Sequence, residues 1–214
     1  MKAILPMFGD NFVLKGGTSL ILYYGCDRYS EDIDLDSKSQ NMNFINRIHN
    51  PGYDIWNINI KKDTPTVFRV MIDYGAKSYM GDYPLKIEVS SRNSKILSNT
   101  KDYVNIDGVN VYKIEKIAKM KINAIWNRTK PRDFYDIGYP LRKHINIFTL
   151  DDLANLNEAI TMTGIDEWSA LLDYDVSQNH LINLDSDEYV LNTVHIIENQ
   201  MDKLISKNKL ISWD

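Results

Sequence analysis

The spacing of apolar and polar residues predicts a strand-rich first half of the chain. Short runs rich in β-branched and aromatic residues, some of them alternating with polar residues, are typical of strands. We predict such strands at residues 12–14, 32–36, 55–60, 67–74 and 85–90, with short helices at 19–24 and 43–49. The dipeptide Asp107-Gly108 supplies the positive φ values of a tight primed turn, so residues 104–111 are predicted to form a β-hairpin.

The second half of the chain has a helical period. Beyond residue 112, apolar residues recur every three or four positions, and Ile114, Ile117 and Ile125 define one stripe on the first helix. Further helices are predicted at residues 132–139, 150–161, 166–173 and 188–206. The pattern therefore predicts an α+β fold, with a mixed-sheet α/β domain over residues 1–112 and an all-helical domain over residues 113–214.

The composition is that of a folded globular protein. With 214 residues, 43% hydrophobic and 25% charged, the chain is outside the collagen-like and disordered classes. No apolar run approaches the roughly 18 residues that cross a bilayer, and the first residues lack the features of a signal peptide. The single cysteine, Cys26, cannot form an internal disulfide. We therefore expect a cytoplasmic protein with no membrane partner.

The net charge of −4 conceals two opposed blocks. Residues 113–132 carry seven Lys or Arg residues against one acid, whereas residues 149–192 carry ten acids and no Lys or Arg. Ordinary solvated helix faces explain both blocks. The alternative is that the chain has two surfaces that bind different partners, of which the basic one suits nucleic acid and the acidic one suits protein.

Two adjacent glycines follow the first predicted strand, in the sequence Gly16-Gly17-Thr18-Ser19. Glycines at such a turn let backbone N–H groups approach a ligand closely. The N-terminus of a following helix then favours a phosphate group. For a Gly-Gly pair considered alone, a tight turn that only requires glycine is the simpler interpretation.

Asp32 and Asp34 alternate with apolar residues in the next strand, which places their carboxylates on one face, with Asp36 expected on that exposed face too. Carboxylates on one face repel each other unless a cation neutralises them, and two at this separation can share a pair of Mg²⁺ ions. A calcium-binding EF-hand is excluded, because the positions that need Gly and Glu hold Ser37 and Asn43.

Two further charged residues stand out from their surroundings. Lys121 lies within the apolar stripe of its helix, so it either extends to solvent at the edge of the stripe or meets an anion. Methionine in its place is expected to cost the fold little. Glu88, in the strand at residues 85–90, is a candidate third carboxylate that could deprotonate an attacking hydroxyl. The alternative for Glu88 is a single charge on the solvent face of a strand.

Together these motifs resemble a known family. The resemblance is carried by Leu14-Lys15-Gly16-Gly17-Thr18-Ser19-Leu20 and by Arg28-x-Ser30-x-Asp32-Ile33-Asp34-Leu35. These blocks are similar to the AbiEii/AbiGii toxin family of nucleotidyltransferases, within the DNA-polymerase-β-like nucleotidyltransferase superfamily. Lys121, Arg128 and Arg132-Asp133-x-Tyr135-Asp136 are similar to the downstream Lys and Asp motifs of that family. Its middle block is approximated by Lys62-x-x-x-Thr66-x-x-Arg69.

The resemblance implies a nucleotidyltransferase domain followed by the helical domain. It also implies an enzyme that moves a nucleotidyl group from an NTP, with Mg²⁺, to an acceptor such as tRNA or another RNA. Members of the family act as the toxin of a toxin–antitoxin or phage-defence pair, so a protein antitoxin is an expected partner. The alternative function is a catalytically silent module that binds a nucleotide or a protein on the same fold.

The residue patterns and the resemblance together predict the members of the site. The residues expected to bind the nucleotide are Gly16, Gly17, Thr18, Ser19, Ser30, Arg69 and Lys121. The residues expected to hold the metals are Asp32, Asp34 and Glu88. Lys121 is expected to contact a phosphate, and Asp136 to support the site through a metal, through Lys121 or through the base. The predicted catalytic set is therefore Asp32, Asp34, Glu88, Lys121 and Asp136.

Overall fold

The computed structural model describes residues 1–48, 57–73, 84–97, 101–178, 181 and 184–211. For residues 209–211 it describes the backbone only. The chain divides into two compact units, Met1–Lys113 and Ile114–Asp214. Each unit has a hydrophobic core of its own. The first unit ends one residue beyond the boundary that the sequence predicts.

A seven-stranded mixed sheet forms the first unit, in the order β3-β4-β5-β2-β1-β7-β6. The strands are β1 Phe12–Lys15, β2 Asp32–Ser37, β3 Asn57–Thr64, β4 Val67–Asp73, β5 Leu85–Ser90, β6 Tyr103–Ile106 and β7 Val109–Tyr112. β1 pairs with β7 in parallel, β2 pairs with β5 in parallel, and the other neighbours are antiparallel. β2, which carries the predicted metal ligands, is thus the central strand.

Most of the predicted strands are present. β2, β4 and β5 occupy the predicted positions, and the β6–β7 hairpin turns at Asp107 and Gly108, whose φ values are 52° and 81°. Tyr74 and residues 55–56 lie outside the described residues. β3 extends to Thr64, beyond the predicted end at residue 60, because this edge strand is largely exposed and carries charged residues where a buried strand would not.

The helices of the first unit differ from the prediction. A 3₁₀ helix, Lys2–Phe8, precedes β1, and α1, Gly16–Ser19, continues as one π-helical turn, Leu20–Tyr24. The predicted helix at 19–24 therefore begins three residues earlier. The helix predicted at 43–49 is wrong over the described residues, which form a turn. There the Asn43 side chain accepts a hydrogen bond from the N–H of Ile45, and such local bonds compete with a helix. His49 lies outside the described residues.

The described part of the second unit contains five α-helices, each at a position that the sequence predicts, and a short 3₁₀ helix, Ile145–Ile147, that it does not. The α-helices are α2 Ile114–Asn127, α3 Pro131–Lys143, α4 Leu150–Thr163, α5 Ile165–Ser177 and α6 Ser186–Ile211. Pro131 opens α3, where its missing N–H costs nothing, and Thr149 begins α4 with a capping box. Trp168 stacks on Phe134 in the core, with ring centroids 4.8 Å apart. Every helix among the described residues is too short or too polar to cross a membrane.

A buried carboxylate joins the central strands of the sheet. Asp36 accepts hydrogen bonds from the Lys15 ammonium at 2.5 Å, the Asn93 amide at 2.8 Å and the Tyr112 hydroxyl at 2.9 Å. The prediction that Asp36 lies on an exposed face is therefore wrong, because β7 and the loop after β5 cover the end of β2. Burial, together with the charge of Asp36, raises the pKa of Tyr112, so its hydroxyl remains a donor. The network connects β2 to β1 and β7.

We expect Tyr112→Phe to lower the free energy of unfolding by about 1.5–3 kcal/mol, because a hydrogen bond to a buried carboxylate is lost. Urea unfolding at neutral pH measures the change. Tyr103→Phe is the matched control, since Tyr103 lies opposite Tyr112 in the hairpin and is only half-buried. An equal loss in both variants would show that the hydrogen bond to Asp36 contributes nothing specific.

Candidate active site

A row of charged side chains crosses four adjacent strands on one face of the sheet. Arg69 on β4 lies opposite Glu88 on β5, Glu88 lies opposite Asp34 on β2, and Asp34 lies opposite Lys15 on β1. Residues directly opposite each other in a sheet point to the same face. This charged row, Arg69–Glu88–Asp34–Lys15, therefore places two carboxylates side by side between two cations.

Asp32 adds a third carboxylate to the same face, two residues before Asp34. It lies opposite Lys86 on β5, and the Lys86 ammonium contacts its Oδ2 atom. Glu88 is held in a similar way, since Nε and Nη2 of Arg69 lie 2.6 Å and 2.5 Å from its Oε2 atom. All three predicted metal ligands thus lie on two neighbouring strands, and two of them contact cations of the protein.

Asp34 lies between Glu88 and Lys15 in the charged row, and its ionised form is disfavoured. Burial raises its pKa, the nearby charges of Lys15 and Lys86 oppose that effect, and the charges of Asp32 and Glu88 add to it. The net result is a raised pKa, which means that the ionised form of Asp34 needs more positive charge than the protein supplies.

The carboxylates fit a divalent cation by their chemistry. Oxygen ligands are those that Mg²⁺ takes, and such an ion would stabilise the ionised form of Asp34, whose pKa is raised mainly by burial. Among the residues that the structure describes, however, no three acidic, histidine or cysteine side chains converge as a set of metal ligands. Two of the three predicted ligands instead pair with cations of the protein, Asp32 with Lys86 and Glu88 with Arg69.

The glycine turn lies directly beside these carboxylates. Gly16 has a φ of 74°, and a Cβ atom at this position would lie 3.1 Å from Oδ2 of Asp34. At Gly17 a Cβ atom would lie only 1.7 Å from Nη2 of Arg28. Both glycines are thus required for close approach, the first to a carboxylate and the second to a buried guanidinium.

Arg28 is a residue of the site to which the sequence motif assigned no role. Its side chain is buried, with Nη1 donating to the Tyr29 carbonyl at 2.6 Å, and its guanidinium lies against Gly17. A buried arginine beside a glycine turn is an anion-binding feature. Its place in the Arg28-x-Ser30-x-Asp32 block is the signal from which it could have been identified.

The hydroxyl residues connect the glycine turn to β2. The Thr18 hydroxyl lies 2.8 Å from that of Ser30 and also contacts the Asp32 carbonyl. Ser19 is fully buried, and its hydroxyl donates to the Gly16 carbonyl at 2.6 Å. The Ser19 side chain thus shapes the turn, and the predicted contact of Ser19 with the nucleotide remains a prediction.

Lys121, in the second unit, is buried and paired within that unit. Its ammonium lies 2.6 Å from Oδ1 of Asp133 and 2.6 Å from Oδ2 of Asp136, and Asp133 also accepts a hydrogen bond from Arg128 at 2.7 Å. Of the two alternatives for this lysine, the meeting with an anion is confirmed. The predicted contact with a phosphate remains a prediction.

The pKa shifts show how strongly this cluster holds its charges. Burial alone would lower the pKa of Lys121, but the charges and hydrogen bonds of Asp136 and Asp133 outweigh it and raise the pKa. Burial alone would likewise raise the pKa of Asp133, but Lys121 and Arg128 lower it. The expectation that methionine at position 121 costs little is therefore wrong, because it would leave two buried carboxylates without their shared cation.

We expect Lys121→Met to lower the free energy of unfolding by about 3–5 kcal/mol, the usual cost of removing one partner from a buried ion pair. Lys119→Met is the control on the same helix, since that side chain is 56% exposed and lies 3.8 Å from Asp152. Thermal and urea unfolding of both variants provide the measurement. A Lys121→Met protein as stable as Lys119→Met would contradict a structural role for the cluster.

Two solved structures resemble this chain over nearly its whole length. The crystal structure of JHP933 from Helicobacter pylori is 31% identical, with a TM-score of 0.84, covering 99% of this chain and 93% of that one. A second H. pylori structure, described as a candidate nucleotidyltransferase, is also 31% identical, with a TM-score of 0.83, covering 96% and 93%. MenT4, a nucleotidyltransferase toxin from Mycobacterium tuberculosis H37Rv, is 14% identical with a TM-score of 0.49, covering 92% and 86%.

A family model identifies the family of this chain. No curated protein matches the sequence closely enough to count as a relative. The family model for the nucleotidyl transferase AbiEii toxin of type IV toxin–antitoxin systems matches residues 2–188. That match includes the glycine turn, the charged row and the Lys121 cluster. The chain therefore belongs to the AbiEii family of nucleotidyltransferase toxins.

Proposed function

We propose that this protein is an active, divalent-metal-dependent enzyme that transfers a nucleotidyl group from an NTP to a hydroxyl of an RNA acceptor, such as a tRNA. The observation that carries the proposal is the position of Asp32, Asp34 and Glu88 on one face of two adjacent strands, beside the Gly16–Gly17 turn. A module that only binds a partner has no need of three neighbouring carboxylates, whose mutual repulsion costs stability.

Asp32 and Asp34 are the residues that would hold the metal, with Glu88 as a third ligand or as the base. Bound Mg²⁺ would neutralise charge on the reacting phosphate and on the leaving pyrophosphate. Glu88, oriented by Arg69, would accept the proton of the attacking hydroxyl. Arg69 is thus proposed to position the general base, Glu88, in addition to making its predicted contact with the nucleotide.

The glycine turn and its neighbours would hold the triphosphate. Backbone N–H groups of Gly16 and Gly17 can approach phosphate oxygens because no side chain intervenes. The Arg28 guanidinium would add a charged hydrogen bond, and the Thr18 and Ser30 hydroxyls, which contact each other, would add neutral ones. Holding the triphosphate in line with the acceptor is the main contribution that the protein makes to such a reaction.

The acceptor and partner assignments rest on the charge blocks. In the basic block, Lys119, Arg128 and Lys130 are exposed beside Trp126, whose side chain is 40% exposed and could stack on a base. Phosphate contacts by such residues make RNA binding sensitive to salt. Lys121, held by Asp133 and Asp136, is proposed to contact a phosphate there.

A protein antitoxin is the proposed partner of the acidic block, and the cytoplasm, where Cys26 stays reduced, is the proposed location.

We expect Asp34→Asn to reduce nucleotidyl transfer by roughly 100-fold or more, because a ligand of the catalytic cation is lost. The assay incubates the protein with each labelled NTP, Mg²⁺ and total RNA, and follows the label into an acceptor. The fold should stay intact, since the substitution removes one of several crowded negative charges. Asp63→Asn, on the exposed strand β3, is the control.

The outcomes of this assay separate the two functions. Undiminished transfer by Asp34→Asn would exclude the proposed metal site. A wild-type protein that binds NTP but labels no acceptor under any condition would favour the alternative, a catalytically silent nucleotide-binding module.

We expect Gly17→Ala to weaken NTP binding about 10- to 100-fold, because the added methyl group displaces the Arg28 guanidinium and a charged hydrogen bond is lost. Equilibrium binding of a fluorescent NTP analogue measures this effect. A double-mutant cycle with Arg28→Met tests the cause. If Gly17→Ala weakens binding equally in the presence and absence of Arg28, the methyl group acts on the turn itself and not through Arg28.

A further inference from the structure

We propose that Lys86 is a built-in counter-ion of Asp32 that competes with the divalent cation, so that metal binds tightly only together with the nucleotide. The proposal rests on the proposed function, since it concerns the same carboxylates. It assigns a role to a residue outside the predicted site. It also predicts that the metal and the nucleotide each bind more tightly when the other is bound.

The contact between Lys86 and Asp32 is built into the strand register. The two residues lie directly opposite each other on β5 and β2, with their side chains on the face that carries Asp34 and Glu88. The Lys86 ammonium contacts Oδ2 of Asp32, an atom that would otherwise be available to a metal ion. Lys86 also acts on Asp34, since its charge opposes the rise in the pKa of that carboxyl. One ammonium thus partly neutralises the two carboxylates that the proposed function assigns to the metal.

The exposure of this pair makes it exchangeable. The side chains of Lys86 and Asp32 are 31% and 35% exposed, and ion pairs with such access to water are weak. A lysine has a flexible stem and a single charged end, so it can leave one anion for another without a change in the backbone. The Arg69–Glu88 pair is different, because two N–H groups of a planar guanidinium hold one oxygen of Glu88.

Competition of this kind couples the metal to the nucleotide. In the absence of NTP, a divalent cation that approaches Asp32 must displace an ammonium and then remain close to it, which is unfavourable. A bound triphosphate offers the ammonium a second anion within reach of its stem. The nucleotide therefore removes the competitor, and by thermodynamic linkage the metal raises the affinity for the nucleotide by the same factor.

The test measures Mn²⁺ binding to the full chain without nucleotide, by electron paramagnetic resonance. It also measures the affinity for a non-hydrolysable NTP analogue with Mn²⁺ and with EDTA. The variants are Lys86→Met and Lys86→Gln, which remove the charge, Lys86→Arg, which keeps it, and Asp32→Asn. Lys61→Met is the matched control, since Lys61 is exposed on the edge strand β3. Thermal unfolding confirms that each variant is folded.

We expect Lys86→Met and Lys86→Gln to bind Mn²⁺ alone about tenfold more tightly than the wild type, because a like charge beside the ion is removed. The factor by which Mn²⁺ strengthens binding of the analogue should fall correspondingly. Lys86→Arg and Lys61→Met should keep the weak Mn²⁺ binding of the wild type, and Mn²⁺ should strengthen binding of the analogue as it does in the wild type.

Other outcomes overturn the proposal in distinguishable ways. Unchanged or weaker Mn²⁺ binding in both neutral variants would show that Lys86 does not compete with the metal and at most positions Asp32. If the wild type binds Mn²⁺ equally well with and without the analogue, the coupling is absent. If the wild type and Asp32→Asn bind no Mn²⁺ even with the analogue, the proposed metal site itself fails, and this inference fails with it.

Discussion

Three aspartates on one face of the central strand impose the constraint on which the first unit is organised. Period-2 geometry places Asp32, Asp34 and Asp36 on the same side of β2, and each carboxylate must find positive charge or donors there. Asp36 accepts hydrogen bonds from Lys15, Asn93 and Tyr112, and Asp32 pairs with Lys86. Asp34 lies between them, and its pKa is raised mainly by burial, which the charges of Lys15 and Lys86 only partly offset.

The position of the glycine turn follows from this arrangement. β1 pairs with β2 so that Lys15 lies opposite Asp34, and the chain then turns at Gly16 directly over the Asp34 carboxylate. A side chain on Gly17 would collide with Arg28, whose guanidinium is buried there. Strand register and the turn at Gly16 and Gly17 thus place backbone donors, the buried Arg28 guanidinium and the Asp34 carboxylate close together.

Sequence patterns predicted the parts of this site that depend on periodicity. They failed for residues whose environment is set by other segments that pack over them. Alternation placed Asp32 and Asp34 on one face, and the helical period identified Lys121 as a charge that needs a partner. The same alternation assigned Asp36 to solvent, because a period defines a face but does not reveal that Tyr112 and Asn93 close over it. Arg28 carries no periodic signal, and its role depends on a contact with Gly17, eleven residues earlier in the chain, that only the folded turn creates.

Asp34 and the cluster around Lys121 differ in how their charge is compensated, and the contrast indicates where a metal ion can bind. In the second unit Lys121, Arg128, Asp133 and Asp136 pair among themselves, and the lowered pKa of Asp133 together with the raised pKa of Lys121 shows that both charged forms are favoured. The carboxylates of this cluster gain little from an added metal cation, because they are already paired with cations of the protein. In the charged row, burial raises the pKa of Asp34, so this carboxylate gains from an added cation. This difference is the physical reason to look for the metal ion at β2 rather than at the cluster around Lys121.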